Sequence, residues 1–63
     1  MTYGDEILIA RREAGLYQKD LAKAVNVTPN TIVDLEKNKI EVTEETYLNI
    51  MSKIKELSKK EVN

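Results

Sequence analysis

Apolar side chains recur along this chain at intervals of three and four residues, the spacing of one helix face, and strand signals are absent. Ile7, Ala10 and Ala14 share one side of a segment predicted to be helical from Gly4 or Asp5 to Ala14. Asp5 and Glu6 stand in its first turn, where the helix dipole favours anions, and Gly15 ends it. Leu16 follows at the place where an apolar contact commonly seals a helix end. A short second helix, Gln18 to about Val25, turns Leu21, Ala22 and Val25 inward and leaves Lys19 and Lys23 outside. Asn26 breaks it, since asparagine tolerates a left-handed backbone, and Val27 is expected to return to the core.

The third helix has the clearest start: Thr28 can cap free amides, and Pro29 fills the first helical position, where its missing N–H costs nothing. Ile32 and Leu35 face inward, leaving Asn30, Val33, Asp34 and Lys37 on the other sides. Residues 38–42 read as a loop. Thr43, Glu44 and Glu45 then open a C-terminal helix over about 43–60, with Tyr47, Ile50, Met51, Ile54 and Leu57 in one apolar stripe. The stripe closes the domain core. Part of it, or the loop before it, is also the candidate homodimer interface, because four short helices need only some of these side chains for one core.

At 63 residues this is a single all-α domain, residues 1–63, of four to five helices. With 41% hydrophobic and 33% charged residues the composition is globular rather than disordered. The chain has no cysteine and no histidine, so disulfides and the usual zinc ligands are missing, and no carboxylates stand at loop-ligand spacing; neither a metal nor a cofactor is expected. Enzymatic activity is not expected either: Ser52 and Ser58 are the only serines, and there is no glycine-rich phosphate loop. The start, Met1 to Glu6, is acidic and the longest apolar run is Ile7 to Ala10, which argues for a cytoplasmic protein with no membrane partner. The net charge of −1 opposes nucleic-acid binding, but residues 16–39 carry four basic and three acidic groups and are the only net-positive stretch.

Two short helices joined by a tight turn, the second opening with Thr28-Pro29 and exposing polar side chains, meet the physical requirements of a helix-turn-helix over about 17–37. The residues themselves add more. Gly4, Ile7, Arg11, Gly15-Leu16, Gln18, Leu21-Ala22, Val27, Thr31-Ile32 and Glu36 stand in a register that resembles the XRE family of phage-repressor and Cro-like domains, across roughly residues 3–57. The resemblance implies a lambda-repressor-like fold that binds double-stranded DNA, with no cofactor. It implies that Arg11 and Glu36 form a structural salt bridge. It places Gln18 on a DNA phosphate, and Thr28, Pro29, Asn30, Val33 and Asp34 at base-facing positions. Lys37 and Lys39 match places that commonly touch phosphate; Lys19 is a further phosphate candidate, or else an ordinary solvated lysine.

Several positions depart from the family pattern. Tyr17 replaces the usual Ser or Thr cap, at a cost of about 1 kcal/mol unless Asp20 compensates. Leu8 stands where arginine is frequent, Lys37-Asn38 replaces Asn-Gly, and Val42 replaces proline. Asp34 can accept from a cytosine amino group or pair with Lys37 one turn on. The leading expectation is a sequence-specific transcriptional regulator, a repressor, binding an inverted repeat as a homodimer. The rival is a protein-interaction module, like an antirepressor or antitoxin, whose partner is another protein; near-neutral charge, Leu8 and Asp34 motivate it.

Overall fold

The computed structural model describes residues 1–58. Four helices follow one another, α1 (Tyr3–Glu13), α2 (Gln18–Ala24), α3 (Pro29–Glu36) and α4 (Glu44–Ser58), with no strand among the described residues. The expected reach of the last helix to about residue 60 lies outside them. None of these helices is long and apolar enough to cross a membrane.

Three of the four helices start on a threonine whose hydroxyl accepts from a free amide. Thr2 caps α1: its hydroxyl accepts from the Asp5 N–H at 3.1 Å while the Asp5 carboxylate accepts from the Thr2 N–H at 3.1 Å. This reciprocal box sets the helix start one or two residues earlier than the acids Asp5 and Glu6 alone suggest. The left-handed backbone at Gly15 (φ 72°) ends α1 and lets the Leu16 N–H reach the Arg11 carbonyl at 3.1 Å. Tyr17 offers α2 no acceptor, but Asp20 reaches back to the Tyr17 N–H at 2.9 Å. Thr28 and Thr43 cap α3 and α4 by accepting from the N–H of Thr31 and Thr46 at 3.3 and 3.2 Å.

Ile7, Leu21, Ala22, Ile32, Leu35, Ile50 and Ile54 form the buried core, with Ala10, Ala14, Leu16, Val25, Val42, Tyr47 and Met51 packed around it. Two expectations are corrected. Ile50 and Ile54, proposed in part for a second subunit, are only 1% and 5% exposed and belong to this core. Short helices enclose little volume, so the inward half of the α4 stripe is needed at home; Tyr47, Met51 and Leu57 are half-buried beside it. Val27 does not plug the core: it is 39% exposed, and what holds the turn is its N–H on the Ala22 carbonyl at 2.9 Å.

α1 is clamped to α4 by stacking of Tyr3 on Tyr47, ring centroids 4.2 Å apart and planes 14° off parallel. The Tyr47 hydroxyl donates to Glu6 at 2.6 Å. That hydrogen bond, then burial, raises the Tyr47 pKa above the ordinary phenol value, because deprotonation would set a second anion against the carboxylate. α1 meets α3 more tightly still. A side chain at Gly4 would collide with the Leu35 carbonyl oxygen and with the Asn38 side-chain oxygen, so α3 can approach only because Gly4 carries none.

At the centre of this contact Arg11 grips Glu36 from two nitrogens, Nε to Oε2 at 2.6 Å and Nη2 to Oε1 at 3.1 Å. Its third nitrogen, Nη1, donates to the Leu16 carbonyl at 2.8 Å. The two side chains are only 10% and 3% exposed, so removing one strands the other in a dry site.

Arg11→Ala or Glu36→Ala is therefore expected to lose about 3–5 kcal/mol. A chain of this size seldom holds more than about 3–5 kcal/mol from one core, so far-ultraviolet dichroism should show either variant largely unfolded at room temperature. Arg11→Met combined with Glu36→Leu, which leaves no buried charge, should melt above both single variants. Gly4→Ala should cost about 1–3 kcal/mol by overpacking although alanine favours a helix, and a thermal melt at or above the parent value would refute the close approach.

Candidate nucleic-acid interface

The α2–α3 pair is set by its turn. Asn26 adopts φ 63°, the left-handed region that asparagine tolerates better than other residues bearing a Cβ, and the chain reverses between Val25 and Thr28. α3 then starts under fixed control, with Pro29 at its first turn and the Thr28 hydroxyl 3.0 Å from that of Thr31. Ile32 and Leu35 anchor its inner face, and Glu36 at its last residue is held by Arg11. The helix is thus capped locally at its start and tied to α1 at its end.

What this mounting presents outward is a short polar surface. Thr28, Pro29 and Asn30 are exposed at the start of α3, while Val33 and Asp34 are half-buried one turn on. Asp34 forms no ion pair with any described residue, so the expected alternative of a partnership with Lys37 is not realised. Lys37 and Lys39 are exposed just past the helix, flanking Asn38. Lys19 is exposed too, and its ammonium lies 6.0 Å from the centre of the Tyr17 ring. Gln18 is placed differently from a free phosphate donor: its amide nitrogen donates to Glu36 Oε1 at 3.1 Å. A carboxamide carries two hydrogens, so one remains for a further acceptor, and Glu36 orients it.

Glu36 accepts from Arg11 and Gln18 together, which ties α1, α2 and the end of α3 to one carboxylate. Positions with no assigned role in the sequence also emerge. Tyr17, noted there only as a poor cap, is 70% exposed beside Gln18. Asn38 takes the left-handed conformation (φ 62°) and bonds to the start of α1, a contact that the replacement of Asn-Gly by Lys37-Asn38 does not reveal. Ile40 and Leu48 are 44% and 56% exposed, one in the loop before α4 and the other on its outer face. Leu48 falls outside the apolar stripe of α4, whereas Ile40, in a loop, has no periodicity to place it.

Comparison with known proteins agrees with this geometry. No curated protein and no solved structure gives a significant match. A family model described as helix-turn-helix matches residues 7–58, which takes in the rest of α1 beyond its first turn and the whole of α2, α3 and α4. The chain accordingly belongs to the XRE family of helix-turn-helix proteins, a family of DNA-binding regulators.

Proposed function

We propose that this protein is a cytoplasmic repressor of transcription that reads an inverted-repeat operator as a dimer, through the outer face of α3. The observation that carries the reading is the mounting of α3: a short helix capped at its start and tied to α1 at its end, with Thr28, Pro29 and Asn30 exposed in its leading turn. A helix presented in this way fits the major groove by its N-terminal residues. Asn30 can donate to and accept from an adenine edge, and Val33 can cover a thymine methyl. Thr28, its hydroxyl already shared with Thr31, faces the bases beside Pro29 and Asn30 in this reading. Gln18, Lys19, Lys37 and Lys39 supply phosphate contacts. Asp34 opposes phosphate and reads a cytosine amino group at most.

A single domain of this size touches few bases, and pairing on two half-sites about one helical turn apart is the usual route to specific affinity. With Ile50 and Ile54 buried in the core, the pairing face falls to the exposed Ile40 and Leu48 with the half-buried Met51 and Leu57. The rival reading, a protein-interaction module, draws on the groove of about 530 Å³ between the turn and α4, where Val27 and Ile40 lie in the same concavity as Glu41 and Glu45.

Selection of bound duplexes from a random pool should enrich a palindrome. On that operator Asn30→Ala is expected to lose about 1–3 kcal/mol while scarcely changing affinity for random DNA. Lys39→Ala should weaken both alike and reduce the slope of log affinity against log salt by about 1, and Asp34→Asn should strengthen non-specific binding. If affinity for DNA shows no dependence on salt while a partner protein is retained, the rival takes its place. In sedimentation the parent should self-associate at micromolar concentrations, and Leu48→Glu should shift it towards monomer without lowering its melting temperature at dilutions where the parent too is monomeric; a parent that stays monomeric both free and on DNA excludes the paired form.

A further inference from the structure

Asn38 is costly where it stands. Its φ of 62° is one that glycine adopts freely and that asparagine, the most tolerant residue bearing a Cβ, adopts less readily, so the turn after α3 does not by itself require a side chain there. Both polar atoms of the side chain are engaged, across 33 and 36 residues of sequence. Its amide nitrogen donates to Asp5 Oδ1 at 3.1 Å, and its oxygen accepts from the Thr2 hydroxyl at 2.8 Å. Asp5 in turn takes the Thr2 N–H on its other oxygen. These bonds lower the Asp5 pKa, first through the Thr2 backbone and next through Asn38, so the carboxylate stays ionised and accepting. Gly4 lies between the partners, and its bare backbone lets the Asn38 oxygen come close. The result is a closed clasp of Thr2, Asp5 and Asn38 that binds the start of α1 to the segment just beyond α3.

Only that segment carries Lys37 and Lys39. Both lysines are exposed and neither forms an ion pair with a described residue, so the backbone that Asn38 ties down is what sets their roots. The Asn38 N–H reaches Leu35 and the Lys39 N–H reaches Asp34, at 3.1 and 2.9 Å, which fixes the course of the backbone on the other side. We propose that Asn38 is a positioning residue for DNA binding: through Thr2 and Asp5 it holds Lys37 and Lys39 in the direction in which they meet phosphate. The role rests on the DNA-binding reading above and adds to it a cause for the departure from glycine. It orders two long cationic side chains at their root before DNA arrives, and less ordering entropy is then lost on binding.

Asn38→Gly isolates this role, because glycine keeps the turn and relieves its strain while deleting the clasp. The variant should melt within a few degrees of the parent, yet bind both operator and random DNA about tenfold more weakly, the weight of one charge-assisted hydrogen bond. In a Lys37→Ala/Lys39→Ala background the same change should have no effect, which a merely structural role would not produce. Backbone nitrogen relaxation of the free protein should show order parameters of residues 37–40 falling from about 0.85 in the parent towards 0.6 in Asn38→Gly. A parent without salt-dependent retention on duplex DNA overturns the DNA-binding reading and this role with it. A parent that binds normally overturns the clasp alone if Asn38→Gly binds equally well, loses as much without the two lysines, or keeps a rigid loop.

Discussion

Almost everything in this small domain hangs on one buried carboxylate. Glu36 closes α3 and accepts from Arg11 twice and Gln18 once, while Arg11 uses its remaining nitrogen on the carbonyl of Leu16. A charge hidden this far from water is tolerable only if its oxygens find donors, and here both do. Three helices and the junction between the first two thereby converge on a single group. The hydrophobic core of seven side chains supplies the driving force, but such contacts are indifferent to small slips. The ion pair is not, and it fixes which way the outer face of α3 points.

The same logic explains how a chain with a slight negative charge can belong to a DNA-binding family. Affinity for phosphate scales with the cations that reach it rather than with the sum over the molecule. Many acids here are occupied by the fold: Asp5 in the first cap, Glu6 under Tyr47, Asp20 on the backbone of Tyr17, Glu36 in the core. Their hydrogen-bond capacity is turned inward or onto the backbone, whereas Lys19, Lys37 and Lys39 stay at the surface.

The sequence was most informative where one residue type has one reason to be present. Thr28-Pro29 announced the start of α3, Gly15 the end of α1, and Asn26 the turn, because few alternatives satisfy those backbone demands. The three- and four-residue spacing found the core faces of all four helices. It could not say how deep each apolar residue sits: Val27 looked like a core plug and is partly exposed, and the α4 stripe looked like a surplus but supplies Ile50 and Ile54 to the interior. Periodicity gives direction and not depth, since depth depends on how closely the other helices approach. The Thr2-x-x-Asp5 box was legible and passed over in favour of the dipole-compatible acids. The contacts of Asn38 with Thr2 and Asp5 were not legible, for nothing local links residues so far apart. Arg11 with Glu36 became visible only through family resemblance, and the assignment of bases and phosphates to single side chains rests on that resemblance still.

The stacked tyrosines at the α1–α4 seam have a use of their own. The chain contains three tyrosines and neither tryptophan nor phenylalanine, so all of its near-ultraviolet absorption above the peptide bands comes from those three rings. Two of them, Tyr3 and Tyr47, lie face to face at 4.2 Å, a chiral and tightly coupled pair that exists only while the first and last helices are docked. The third, Tyr17, is exposed on the far end of the molecule's short second helix, at the edge of the surface assigned to DNA. The protein thus carries two native chromophores with separate duties, one that registers assembly of the fold and one that faces outward to whatever approaches.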